Sequence, residues 1–254
     1  MAKATWWRLP LEDYQGRLMR CAPGTHAAAA AMLSDARVPP AETRVIDLAS
    51  GTGAFLARLR DLGYRDLAAV ELNVDGFNVD GVTPQPVDLN AAFAGDALPA
   101  NAFDLVSAIE IIEHLDCPRT FLRNVHGILR DGGHLLLTTP NVANWLGRLR
   151  FLLSGELRQF RRHDYDYQRH ISPTTHVQMR LMFEEVGFEL VSMRTAGTFF
   201  GPVKRAVVWP IAAISRVMWG KLADGDVVIY LAGKTQPRGD SAGRDSFYFR
   251  TTGA

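Results

Sequence analysis

Residues Val45 to Leu56 read VIDLASGTGAFL. Arg44–Leu48 reads as a short buried strand. A tight loop containing Gly51 and Gly53 follows, and a helix opens at Ala54. Phe55, Leu56, Leu59 and Leu62 fall on one helical face, and Gly63 stops it. Glycines let backbone approach a ligand closely, and the first amides of a helix point at it. A second apolar strand, Leu67–Leu72, contains Glu71, which lies 18 residues after Gly53. An acid in that place can accept both hydroxyls of a ribose. Ala49-x-Gly51-x-x-Ala54 also fits a dinucleotide fingerprint, so the loop alone leaves the type of nucleotide open.

Outward from this unit, the chain alternates strands and helices. Residues 1–40 read as an N-terminal helical segment with an alanine-rich stretch at Ala27–Met32, ended by Pro39 and Pro40. The unit NVDGF/NVDGV is written twice, from Asn73 and from Asn78, and its Asp-Gly pairs mark turns that leave no room for a long helix. Strands are expected around Val82–Val87, at Phe103–Ile109 and at His134–Thr139, with a helix at Pro118–Leu129. This rhythm implies a parallel sheet covered by helices on both faces. Residues 141–175 break it and are rich in arginine and aromatic side chains. A helix at His176–Val186 and strands at Phe188–Arg194 and Val227–Ala232 resume it. Residues 236–254 form a polar tail that is expected to be mobile, and its Arg238-Gly239-Asp240 triplet reads as chance.

Composition narrows the class. The 254 residues are 47% hydrophobic and 22% charged, with a formal net charge of +1. That excludes a chain disordered throughout and one that holds nucleic acid by bulk charge. Cys21 and Cys117 cannot build a disulfide framework, which favours a reducing, cytoplasmic setting. Packing is the default role for Cys117. The N-terminal residues hold no signal-peptide core. The longest apolar run, Ala206–Ile214, has 9 residues, against about 20 for a membrane span.

Several blocks together resemble the class I S-adenosylmethionine-dependent methyltransferases. They are Asp47–Gly53, Glu71, Val87-Asp88-Leu89-Asn90, Phe103-Asp104-Leu105-Val106, Glu110–Leu115, Leu129–Gly133 and Gly187-Phe188. The resemblance covers about residues 40–195 and the final strand. It implies a doubly wound, seven-stranded, mostly parallel Rossmann-like sheet whose last strand is antiparallel and lies beside the fifth. The methyltransferase domain would span 41–235, with a cap insertion at 141–175 and an apolar-basic insertion at 198–222. The cofactor implied is S-adenosyl-L-methionine. Asp47 and the loop Ala49, Ser50, Gly51, Thr52 and Gly53 would hold its methionine end. Glu71 would take the ribose, with Leu72 beside it. Asp88 would face the adenine, with Asp96 as its rival and Leu89 beside the ring. Glu110 would close the pocket. Where the family has its first glycine this chain has Ala49, which costs little at a negative φ.

Glu110, Glu113 and His114 are spaced i, i+3, i+4, so a helical turn after the fourth strand would bring them to one face. Two carboxylates and an imidazole can hold Mg²⁺ or another divalent cation, which would lower the pKa of a phenolic acceptor. The same Glu-x-x-Glu-His pattern occurs in the quinone-biosynthesis O-methyltransferases, where it is associated with a metal. The alternative reading is a helix cap, or His114 acting as a general base without metal. His170, in His170-Ile171-Ser172-Pro173, is the leading general base.

The cap interleaves Trp145, Phe151, Phe160, Tyr165 and Tyr167 with Arg148, Arg150, Arg158, Arg161, Arg162 and Arg169. Such a cover suits an anionic acceptor or is a solvated helix face. Residues 199–222 carry Phe199, Phe200, Trp209, Trp219, Lys204, Arg205, Arg216 and Lys221 and no acid. They form either a peripheral membrane contact or a cover for the core or a second subunit. The expected activity is methylation, chiefly O-methylation, of a small molecule: quinone or polyphenol, sugar or glycan, or lipid-linked. No nucleic-acid partner is expected. The other classes kept open are an NAD-dependent oxidoreductase and a non-catalytic cofactor-fold protein at a membrane.

Overall fold

A computed structural model describes residues 10–198 and 200–237. The expectations on residues 1–9, Phe199 and 238–254, and on the side chains of Lys204, Trp219 and Lys221, lie outside the described residues. The N-terminal segment is not helical throughout. Asp13–Tyr14 (β1) and Arg17–Leu18 (β2) form a two-residue hairpin. Its corner, Gln15-Gly16, has φ of 55° and 80°. Two positive φ values match the twist of paired strands, so a turn wins here over helix. The helix Thr25–Asp35 (α1) follows.

Arg44–Leu48 (β3) leads into the helix Ala54–Asp61 (α2) and then Asp66–Val70 (β4). Phe103–Ala108 (β5), the helix Pro118–Ile128 (α3) and Leu129–Pro140 (β6) continue the pattern. The cap holds helices Trp145–Ser154 (α4) and Arg162–Gln168 (α5). His176–Val186 (α6), Phe188–Ala196 (β7), Pro202–Trp219 (α7) and Val227–Lys234 (β8) complete the order.

The main sheet runs β4-β3-β5-β6-β8-β7. The first four strands are parallel, and β8 enters antiparallel between β6 and β7. The sheet has six strands where the resemblance implied seven. The missing one is the stretch around Val82–Val87, reduced to a single parallel bridge between Val70 and Gln85. Pro84 and Pro86 flank Gln85 and have no N–H to give a ladder, so only Gln85 pairs, donating to Ala69 O at 2.9 Å.

Strand residues alternate between two cores. Val45, Leu105, Leu136, Ile229 and Leu231 pack with α1 and α2 on one face. Ile46, Val106, Leu135, Leu137, Val228 and Tyr230 pack with α3 and α6 on the other. This period of two is what a sheet covered on both faces requires. Helices α4 and α7 belong to neither core. Both lie beyond the carboxyl end of β6, on the edge where the glycine loop also emerges from β3.

Candidate active site

The glycine loop is held from beneath. Ser50 Oγ donates to Asp47 O at 2.7 Å, and Ser50 N donates to Val70 O at 3.0 Å. Thr52 Oγ1 donates to Leu18 O at 2.9 Å, which ties the hairpin over the loop. Gly53 has φ +81°, and a Cβ there would stand 2.2 Å from Val79 Cγ2. The second copy of the repeated unit therefore packs where only glycine fits. Gly51, at φ +56°, would set a Cβ in open space. Its outer face is free for a ligand to approach, as a nucleotide cradle requires.

Ala49 adopts φ +60°, so the low cost of replacing glycine at a negative φ does not apply. A Cβ in the left-handed region costs roughly 1–2 kcal/mol. Glu110 is also left-handed, at φ +51°. These two strained residues sit at the carboxyl ends of β3 and β5, where strain marks functional sites.

Glu71 reaches back to the loop. Gly51 N donates to its Oε2 at 2.6 Å and Asn73 N to its Oε1 at 3.1 Å. Each oxygen keeps a lone pair for a further donor such as a ribose hydroxyl. Leu72 beside it is exposed. Asp88 is exposed and accepts from Asn90 N at 2.9 Å, while Leu89 is buried in the core; Asp96 is exposed. Asp47 is buried under the loop, and Ser107 Oγ donates to its Oδ1 at 2.5 Å. Burial pushes its carboxyl up to about 7, against the Ser107 hydrogen bond.

The expected Glu-Glu-His face does not form as one helical turn. Only Ile112–His114 makes a 3-10 turn, and Glu110 precedes it. Glu110 is engaged by β6: Thr138 Oγ1 donates to its Oε1 at 2.9 Å. His170 takes its place in the cluster. Ligand atoms of Glu113, His114 and His170 all lie within 4.8 Å of one another. The return of the chain is clamped by Ile171 N and Ser172 N, which donate to Glu113 O at 2.9 and 3.0 Å. Ser172 Oγ also donates to Leu115 O at 2.5 Å. His170 Nδ1 lies 2.7 Å from Gln159 O, which fixes Nδ1 as the protonated nitrogen and leaves Nε2 to accept or ligate.

Glu113 is fully buried, and its Oε1 has no hydrogen-bond partner. Burial, and then the charge of Glu110, hold its carboxyl well above the usual range. Burial holds both imidazoles below theirs. His114 Nε2 lies 4.0 Å from Glu113 Oε1. An orphaned buried carboxylate oxygen beside two imidazoles is the donor set a divalent cation would satisfy.

The arginines of the cap are largely committed. Arg150 pairs with Glu156, Arg158 with Asp226, Arg161 with Asp164 and Arg162 with Asp166. Arg148 Nε donates to Ala143 O at 2.7 Å, and Arg169 stacks over Tyr165. Charge in this segment organises the cap itself. Cys117 is exposed at the start of α3, contrary to its expected packing role. Residues the sequence did not single out are Thr138, Ser107 and Asn144. Asn144 caps α4 by accepting from Gly147 N at 2.7 Å. Among the described residues, no helix is long and apolar enough to cross a membrane.

A family model described as "Methyltransferase domain" matches residues 14–193. The chain is 26% identical over 169 residues to a ubiquinone biosynthesis O-methyltransferase of Cupriavidus pinatubonensis, covering 64% of this chain and 66% of that relative. It is 32% identical over 117 residues to the enzyme of that name from Xanthomonas axonopodis pv. citri, covering 42% and 46%. The chain thus spans less than two thirds of the length of these relatives. A crystal structure of a SAM-dependent methyltransferase from Archaeoglobus fulgidus superimposes with a TM-score of 0.56 at 18% identity, covering 82% of this chain and 94% of that one.

Proposed function

The chain belongs to the methyltransferase-domain family, and from that premise we propose that it transfers a methyl group from S-adenosylmethionine to an oxygen of a small-molecule acceptor. The observation that carries this reading is the pairing of Glu71 with Gly51 N on an open, left-handed glycine loop at the carboxyl edge of the sheet. Bound there, S-adenosylmethionine supplies a methyl group already activated on a sulfonium. The residues then have mainly to position and to handle one proton. Glu71 would orient the ribose, the loop of Ala49 to Gly53 would hold the methionine end, and Asp88 and Leu89 would meet the adenine. Asp47, buried under the loop, would act by holding it in place.

Where no metal is bound, His170 and His114 are the bases we assign for the acceptor proton, since burial disfavours the charged form of both imidazoles. The metal set we propose is Glu113, His114 and His170, with Glu110 outside it. Two imidazoles and one carboxylate suit Mn²⁺, Fe²⁺ or Zn²⁺ better than Mg²⁺. Such an ion would lower the pKa of a phenolic or enolic acceptor. The names of the relatives favour a quinone or polyphenol; a sugar or glycan is the second reading. The committed cap arginines weigh against a strongly anionic acceptor. A cytoplasmic site of action, with residues 198–222 as a peripheral membrane contact, completes the proposal.

Calorimetry with S-adenosylmethionine and with NAD tests the cofactor. Tight binding of the first alone is expected, and binding of NAD alone would replace this reading with an oxidoreductase. Methyl transfer from labelled cofactor to a panel of quinols, catechols and glycans tests the activity. Cofactor binding without transfer to any member would favour the non-catalytic alternative.

A further inference from the structure

We infer that the outward faces of α4 and α7 dock the protein on a bilayer of anionic lipid. This deepens the membrane contact assigned to 198–222, and it does not depend on methyl transfer. Helix α7 has two apolar sides. Half-buried Ala212 and Ala213 line a cavity of about 1030 Å³ with Trp145 and Leu146 of α4, and the exposed Ala206 and Trp209 stand at its rim. Val203, Val207, Ile211, Ile214, Val217 and Met218 recur every three or four residues on the opposite side, each between 50 and 89% exposed. On α4, Leu149, Phe151, Leu152 and Leu153 are 41 to 81% exposed. Scattered apolar residues on a surface need no explanation, but two neighbouring helices that both present them form a patch.

Charge decides what covers the patch. Neither helix contains an acidic residue, and together they carry Arg148, Arg150, Lys204, Arg205 and Arg216. Arg150 and Arg216 pair with Glu156 and Asp224, which lie outside the two helices, and the helices themselves are net positive by sequence. Two copies placed face to face would bring like charges together in an apolar contact. An anionic bilayer attracts such a face, by about 1 kcal/mol per basic residue near its surface. The 18 residues of α7 would lie along the plane of the membrane, a length of about 27 Å at 1.5 Å per residue. The mount is rigid. Asn141 Nδ2 donates to the carbonyls of Leu222, Asp224 and Gly225, and Asp226 pairs with Arg158.

The test is co-sedimentation of the full chain with vesicles of phosphatidylcholine containing phosphatidylglycerol, and with phosphatidylcholine alone. Pelleting with the anionic vesicles is expected. It should weaken as salt rises from roughly 0.1 M to roughly 1 M, where the Debye length falls from about 10 to about 3 Å. The triple change Val207→Ser, Ile211→Ser, Ile214→Ser should lower the partition at least about tenfold, since each loses an aliphatic group that lipid would bury. Leu152→Ser with Leu153→Ser on α4 should do the same. Both variants alter exposed positions and should keep the wild-type thermal unfolding and cofactor affinity. Failure of the wild type to pellet with anionic vesicles overturns the inference, as does pelleting of both variants to the same extent as the wild type. So does a wild-type dimer that the triple change converts to monomer without affecting lipid binding. None of these results bears on cofactor binding, which is measured separately.

Discussion

The rings of His114 and His170 meet edge to face with centroids 4.8 Å apart, although 56 residues separate them in the chain. Their contact is made by the clamp of Ile171 and Ser172 on Glu113 O. The cap therefore delivers a side chain to the turn after β5, and the cluster is complete only when the cap is seated.

A metal titration checks this arrangement. Mn²⁺ or Zn²⁺ should bind the wild type, and His170→Ala should lower the affinity at least about tenfold through loss of one ligand. Glu110→Gln should leave metal affinity within about threefold, because Glu110 bonds to Thr138 instead. Equal affinity in wild type and His170→Ala, read by calorimetry, would remove His170 from the set. Full activity in chelator would leave the cluster without a catalytic metal.

Glu71→Ala removes the ribose acceptor and the partner of Gly51 N. A lost charge-assisted pair costs about 1.5–3 kcal/mol, so affinity for S-adenosylmethionine should fall roughly 10- to 150-fold. Calorimetry on a folded variant decides it, and unchanged affinity would end the ribose assignment. Gly51→Val should bind more weakly still. Its side chain would enter the open face of the loop, and its backbone would be strained at φ +56°.

Ala49→Gly should stabilise the protein. The left-handed strain of a Cβ at φ +60° is relieved, and the added freedom of glycine in the unfolded chain offsets part of the gain. The net expected is about 0.5–1 kcal/mol, or roughly 1–4 °C in Tm. A lower melting temperature in a thermal scan would contradict it.

Asp47→Asn should flatten the pH dependence of stability. The carboxyl of Asp47 is raised to about 7 in the fold, chiefly by burial. The folded state therefore holds its proton between about 3.9, the unfolded value, and about 7. The contribution is favourable at low pH and is lost as pH rises through that window. Between pH 5 and pH 8 the wild type should lose about 2 kcal/mol more than Asp47→Asn. Urea unfolding at the two pH values measures the difference, and parallel losses would contradict the assignment.

Much of this was legible in the residues. The β3–loop–α2 unit, the helices at 118 and 176 and the existence of the last strand follow from apolar runs and periods, which are local; the antiparallel direction of that strand came from the resemblance. What was not legible depends on tertiary pairing. Val82–Val87 reads as a strand by its valines, but Pro84 and Pro86 leave only Gln85 able to pair. The substitution of His170 for Glu110 in the cluster could not be read from i, i+3, i+4 spacing. The left-handed Glu110 breaks that turn, and the partner arrives from the far side of the cap. The Gln15-Gly16 hairpin did carry a signal, a glycine between polar residues, which the expected helix over 1–40 overrode.

The place of β8 has a bearing on how the chain is assembled during synthesis. Among the described residues it is the last strand to be made, yet it fills the gap between β6 and β7, pairing with His134–Pro140 on one side and Phe188–Ala196 on the other. Until it emerges, β6 presents an unpaired apolar edge through Leu135, Leu136 and Leu137, each fully buried in the finished fold. The growing chain thus carries an exposed, aggregation-prone edge through all the time needed to make β7 and α7. A nascent chain stalled before Val227 should be a client of holding chaperones, and release should coincide with insertion of this one strand.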